Sequence, residues 1–451
     1  VTKKSKLKLK HQSKTAEPKP VSRWMTVLAV LIIFVIAAFV WRRYYFVDSE
    51  KKALIASVSK LDFTGIEPQV SDKIRTLVDE VNENPKSAAA WGKLGMNLDA
   101  HDFKNESIPI YKEAAKLDPA DFRWPYFCAM VFSENGNAEA LTWFDRANKI
   151  DPDSAPMLVK YGDALVQFQK KDEAVEKYNE ALKRDPQNAH ASYGLARVAY
   201  AKGDLDTTRK NLQRALELNP NFGEAYSLMV SVCRQQKDSE CVSKNSKIAA
   251  LLTEKTDMAD PVYSELVAEG VSSIWYSFRG AQYFRNGAYD PAINEFQKAL
   301  ELRPNAQSHE DLGNTLNAAG RFSEAAIHYR SALKTHPSAE NYFNLGVVLA
   351  RTAQYAEAIE CFQQAIAKKP DFAEAYFNLA VGYAKGRRLP EVVENLKQAI
   401  RINPEYAEAH FYLGQTYVAS KNRDAAVQEL EILWSLNPEM ASQLQTLIKN
   451  L

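Results

Sequence analysis

Histidine and cysteine are scarce in this chain, at seven and four among 451 residues. None falls into an HExxH, a CxxCH or a Cys/His set at zinc spacing, so no metal or haem motif is present. Glycine is almost as sparse, at 17. There is no GxxxxGKS or GxxxxGKT loop, no GxGxxG after a strand and no GxSxG elbow, which removes the usual phosphate cradles and hydrolase nucleophiles. Carboxylates such as Asp118 and Asp151 precede prolines, where helix-ending chemistry accounts for them. No cofactor and no enzyme activity are expected. Net charge is nearly absent too, at +1, but the total hides a split: residues 1–43 hold ten basic residues and one acid, or +9, leaving −8 for the remainder.

What the chain does have is a proline at an almost fixed interval. Pro85, Pro119, Pro152, Pro186 and Pro220 are followed, after a jump of 84, by Pro304, Pro337, Pro370, Pro404 and Pro438, and all other spacings are 33 or 34. Such a period predicts stacked helical hairpins rather than one globular core. Within residues 371–404, Tyr376, Leu379, Ala380 and Tyr383 stripe a first helix and Val392, Leu396 and Ala399 a second. Gly386 and Pro390 mark the turn between them, and Asn403-Pro404 ends the unit, because proline cannot continue the helical ladder.

Other periods repeat this order, as in Trp91, Leu94, Gly95, Tyr111, Ala114 and Pro119, or Leu413, Gly414, Tyr417, Ala426, Leu430 and Pro438. The pattern resembles the tetratricopeptide repeat family. The resemblance implies an all-α, right-handed superhelical solenoid of about ten hairpins over residues 86–254 and 271–438, a surface for partners rather than a catalytic pocket. The fifth period, 221–254, has Ser246 where a bulky residue is expected and lacks the closing proline. Ser71 is expected to cap a helix striped by Ile74, Leu77, Val78 and Val81, with residues 42–85 forming linker and N-terminal cap. Met440, Leu444, Leu447 and Ile448 stripe a C-terminal capping helix in 439–451, and residues 255–270, where Tyr263, Leu266 and Val267 can make a short docked helix, read as a joint, and a candidate hinge, between two five-repeat blocks.

Residues 24–41 contain no charge and are bracketed by Trp24 and Trp41, as expected of a transmembrane helix. No small-x-small cleavage site precedes Arg42-Arg43, which favours a retained anchor over a signal peptide. Eight basic residues in 1–23 against Arg42, Arg43, Lys51 and Lys52 beyond the span favour a cytoplasmic tail and extracytoplasmic repeats. Val1 suits a bacterial non-ATG start or a trimmed chain, so a single-pass bacterial inner-membrane protein with a periplasmic repeat domain is the expectation. The lysine-rich tail reads as a topology signal with some attraction to lipid headgroups, and no nucleic-acid partner is expected.

Cys233 and Cys241 flank the turn of the fifth period, where an antiparallel hairpin brings them within disulfide reach; two buried small side chains are the alternative. The resemblance also implies that first helices line the inner surface. There Phe343, Phe377 and Phe411 recur at one position, followed by Asn344, Asn378 and Tyr412, with Arg351 and Lys385 further along. Rings beside amides suit a protein or extended peptide segment, and packing between helices is the alternative. Glu310 and Glu374 stand where a clamp for a chain-terminal carboxylate needs lysines, which excludes that ligand. In the first block Phe122, Tyr126, Phe132, Tyr193 and Tyr200 with Arg197 and Lys160 form a different inner surface. The expected function is a membrane-anchored scaffold in cell-envelope assembly. Alternatives are an accessory subunit of a polysaccharide-export or cytochrome-maturation machine, or the targeting subunit of a separate transferase.

Overall fold

The computed structural model describes residues 49–252 and 256–450. The expected span at 24–41 and its basic flank lie outside them, and among the described residues no helix is long and apolar enough to cross a membrane. The described residues form helices and turns only. Helix α1 (residues 49–58) and α2 (Pro68–Glu83) lead into five hairpins: α3 Ala88–Ala100 with α4 Lys104–Leu117, α5 Arg123–Glu134 with α6 Glu139–Ile150, α7 Ala155–Gln167 with α8 Lys171–Arg184, α9 Ala189–Ala201 with α10 Leu205–Leu218, and α11 Gly223–Gln235 with α12 Ser239–Leu251. A short α13 (Pro261–Glu269) separates these from five more: α14 Ser273–Arg285 with α15 Tyr289–Leu302, α16 Ala306–Ala318 with α17 Phe322–Thr335, α18 Ala339–Arg351 with α19 Tyr355–Lys368, α20 Ala373–Lys385 with α21 Leu389–Ile402, and α22 Ala407–Ala419 with α23 Arg423–Leu436. Helix α24 (Pro438–Lys449) closes the stack.

Where Asp118, Asp151, Asp185 or Asn403 precedes a closing proline, it ends its helix twice over. The amides of Asp118, Asp151, Asp185 and Asn403 donate to the carbonyls of Ala114, Ala147, Ala181 and Ala399, at 2.8–2.9 Å. Their side chains then accept from the amide two residues on, as Asp118 does from Ala120 at 3.1 Å and Asp185 from Gln187 at 3.0 Å. The carboxylates beside the prolines are therefore turn formers. Inside the hairpins, the turn residue is left-handed, and in six of them it is not glycine. In the 371–404 repeat that residue is Arg387, with φ +57°, directly after Gly386, which caps the first helix.

Hairpins lock together by size. Tyr178 of α8 is fully buried, and a Cβ placed on Gly162 of its own hairpin or Gly194 of the next would lie 2.6 or 2.4 Å from its ring. Successive first helices also touch one another, α3 to α5 to α7 to α9 and α16 to α18 to α20, which makes them the inner layer of the curve. At the N-terminal end the cap differs from expectation. Helix α2 begins at Pro68, a residue pre-set for a first turn, and Ser71 lies inside the helix with its hydroxyl bonded to the Pro68 carbonyl. At the other end Ala441, Leu444 and Ile448 are buried while Leu447 stays exposed.

The stack is interrupted after α12. No residue of α12 is buried, and Val242, Ser246 and Ala249 stay partly exposed at the positions where Val392, Leu396 and Ala399 are covered by the following hairpin. A disulfide joins Cys233 of α11 to Cys241 of α12, with Cα atoms 5.8 Å apart. Cys128 and Cys361 are free thiols, both buried, and burial pushes them up to about 12 and about 11. Beyond α12 the chain turns inward. The Thr256 amide donates to Glu224, and α13 then runs across the inner face of the first block to meet α3, 170 residues earlier in sequence. Residues 256–270 include the short helix α13 and are packed into the first block.

Candidate functional site

The two inner faces differ in what covers them. In the first block, Tyr126 is buried and its hydroxyl donates to Asp260 at 2.5 Å. Arg123 pairs with Glu265 at 2.7 Å while holding Asp121. The Asn97 side-chain amide donates to the Glu269 carbonyl at 3.0 Å. His101 donates from Nδ1 to the Asn97 carbonyl and accepts at Nε2 from the Val271 amide, so a neutral ring bridges α3 to the start of the second block. Burial keeps that ring below the usual histidine range. Four other first-block residues are also engaged within the chain. Phe132 is buried, Tyr193 leans on Phe222 with ring centres 4.8 Å apart, Arg197 pairs with Asp163 at 3.0 Å, and Tyr200 accepts from Gln235 at 2.7 Å.

In the second block nothing of the described chain crosses the inner face in this way. Phe343, Phe377 and Phe411 occupy equivalent positions on α18, α20 and α22, each half-buried. One edge of each of the first two rings rests on an aromatic just before the next first helix: Phe343 on Phe372 at 4.8 Å and Phe377 on Tyr406 at 5.2 Å. Phe372 and Tyr406 complete the column, and sequence reading missed them. Their signal was an aromatic two residues after a closing proline, seen again at Phe222. Tyr412 stands edge-on to Phe377 at 5.2 Å and is 39% exposed, the most open ring of the set.

The amides beside the rings are partly used. Asn378 donates to the Glu374 carbonyl of its own helix at 2.8 Å, and Asn344 donates to Asn314 at 3.4 Å, an oxygen that Tyr329 already holds at 2.8 Å. Each amide retains further donor or acceptor capacity for a ligand backbone. Arg351 and Lys385 lie exposed at the far ends of α18 and α20, Lys385 with its ammonium 6.0 Å from the Tyr355 ring. Glu310 accepts from Asn341 at 2.6 Å. Burial holds the Asp311 carboxyl above its ordinary range, with Glu310 adding to the effect and a hydrogen bond from Gln307 opposing it. The face therefore offers a half-open aromatic strip between an acidic and a basic edge. A separate cavity of about 560 Å³ lies on the outer side, between α10, α11 and α12, lined in part by Arg209, Tyr226, Cys241 and Lys244.

Comparison with known proteins agrees with this architecture. The family described as Tetratricopeptide repeat matches residues 160–221, 280–340 and 383–451, and the description TPR repeat matches 354–386. A TPR repeat-containing protein of Methanocaldococcus jannaschii is 25% identical over 230 residues, covering 49% of this chain and 38% of that protein. The human protein O-mannosyl-transferase TMTC3 is 32% identical over 152 residues, covering 33% of this chain and 16% of that one. The chain thus spans well under half the length of these relatives. Among solved structures, MamA aligns at 26% identity over 36% of this chain and 96% of its own, with a TM-score of 0.35.

Proposed function

Because the chain belongs to the tetratricopeptide-repeat family, we propose that it is a membrane-anchored, non-catalytic scaffold whose second block holds an extended segment of a partner protein. The observation that carries this reading is the uncovered inner face of that block, where Phe343, Phe377 and Tyr412 leave ring edges open beside Asn344 and Asn378. Rings supply apolar contact area, and amides can pair with a peptide backbone through donor and acceptor together. Anchoring rests on the uncharged run 24–41, and the extracytoplasmic orientation on the basic excess before it. With a repeat domain held at a bacterial inner membrane, envelope assembly is the setting we favour.

The test is a crosslinking pull-down from membranes with the wild-type chain, Phe377→Ala and Asn378→Ala. The proposal expects one or a few captured proteins and a loss of at least about fivefold with either variant, on the order of 1 kcal/mol. Undiminished capture by both variants would remove the groove from the account. The partial likeness to a mannosyl-transferase supports a second reading, in which the repeats target a separate transferase. Recovery of a transferase subunit in the same pull-down would select it.

A further inference from the structure

Residues 256–271 lie along the inner face of the first block in the manner of a ligand. Asp260 is the anchor: its Oδ1 accepts from the Val262 and Tyr263 amides at 3.0 and 3.1 Å, capping α13, while its Oδ2 accepts from Tyr126 at 2.5 Å. Five residues on, Glu265 meets Arg123. Leu266 and Val267 follow, and they are the only buried residues of α13. We propose that this inner channel is a helix-binding site, filled in the resting chain by its own residues 256–271, and that a partner protein presenting an acid-capped amphipathic helix takes it by exchange.

Three observations distinguish a tethered ligand from a fixed strut. The second block builds the same hairpins and stacks them with its inner face uncovered, so stacking does not require an occupant. The polar ties can be released without stranding a charge: Arg123 keeps Asp121 at 2.6 Å and hydration replaces the rest, while the apolar contacts of Leu266, Met258, Val262 and Tyr263 are what an incoming helix has to match. The fit is also imperfect. Asn97 is fully buried under the segment, and its Oδ1 has no donor among the described residues, so a helix supplying one there is better matched than the present occupant. A nine-residue helix is too short to persist alone, so exchange exposes an unstructured segment and orders an incoming one. The recognition chemistry follows from the channel: a carboxylate at the helix N-cap for Tyr126, a second acid five residues later for Arg123, then two adjacent apolar side chains.

The experiment uses the full chain and a fluorescein-labelled synthetic peptide of residues 256–271. The internal segment is weakened by Glu265→Gln with Leu266→Ala, which leaves the channel itself unaltered. Fluorescence anisotropy should show the peptide binding the weakened chain at least tenfold more tightly than the wild type, with the gain lost on adding Arg123→Ala. A weakened chain that keeps its helical circular dichroism yet takes up the peptide no better than wild type overturns the proposal. Should the double variant unfold, hydrogen exchange of the wild type decides. Amides of residues 263–269 exchanging at least tenfold faster than those of α3 support an opening segment; exchange of both only through global unfolding makes it a strut and ends the proposal.

Discussion

The first and second blocks share one hairpin design and differ in their inner faces, one filled by the chain itself and the other bare. The difference arises at a single point. After α12 the chain lacks both the closing proline and the large second-helix residue that would receive another hairpin, and it turns inward instead. A repeat array is held together by nearest-neighbour contacts, so losing one such contact divides it into two units. Here the units are joined again across the channel, by α13 and by the bridge from Glu67 of the cap to Ser273 of the second block. One weak repeat thus converts a uniform groove into a filled and an open one.

The contrast can be broken most strongly at Tyr178. Tyr178→Ala empties the space shared by Gly162 and Gly194 and should cost about 3–5 kcal/mol, with calorimetry expected to show an early transition for the first block while α16–α23 melt as before. Next comes the disulfide, which closes a short loop and is worth about 2–3 kcal/mol in the chain-entropy account. Cys233→Ser with Cys241→Ser should speed hydrogen exchange in α12, whose packing is otherwise slight, and leave α22–α24 untouched.

Acidity should separate the blocks more gently. Burial, reinforced by Glu134, pushes the Asp99 carboxyl of the first block up to about 7. A raised folded-state value means that the folded chain binds the extra proton, so this stability is full below about pH 4 and is lost as pH rises towards 7. In the second block burial works against the charged form of His410, but hydrogen bonds to Glu429 at 2.6 Å and to the Pro404 carbonyl outweigh it and raise the ring. Its contribution is full below about pH 6.5 and declines above that. Melting curves across pH should therefore lose first-block stability at lower pH than C-terminal stability, and Asp99→Asn and His410→Gln should each flatten their own part. The smallest effect is expected at Arg387, where Arg387→Gly relieves a left-handed backbone and should stabilise the second block by about 1 kcal/mol in denaturant titration.

Local rules explain why so much of this was legible. Pro404 after Asn403, the alanine four residues before it and the glycine facing a ring all act within one or two hairpins, so their spacing carried the stack and the position of Phe343, Phe377 and Phe411. Ser71 misled because a proline three residues earlier starts the helix better. Phe372 and Tyr406 were overlooked because they precede their helices and so fall outside the helical stripe. A short docked helix at Tyr263, Leu266 and Val267 could be read, but not the channel that it fills. The contact from Asn97 to Glu269 spans 172 residues, and no periodicity records which turn of a solenoid a distant segment will reach.

The most direct test places a photo-crosslinking amino acid at Tyr412 of the open face and, separately, at Tyr193 of the filled one, in otherwise wild-type chains irradiated in membranes. Partner adducts should form at position 412 and be at least about fivefold weaker at 193, on the order of 1 kcal/mol. Strong capture at 193 with none at 412 would contradict the assignment of the open block as the resting binding surface.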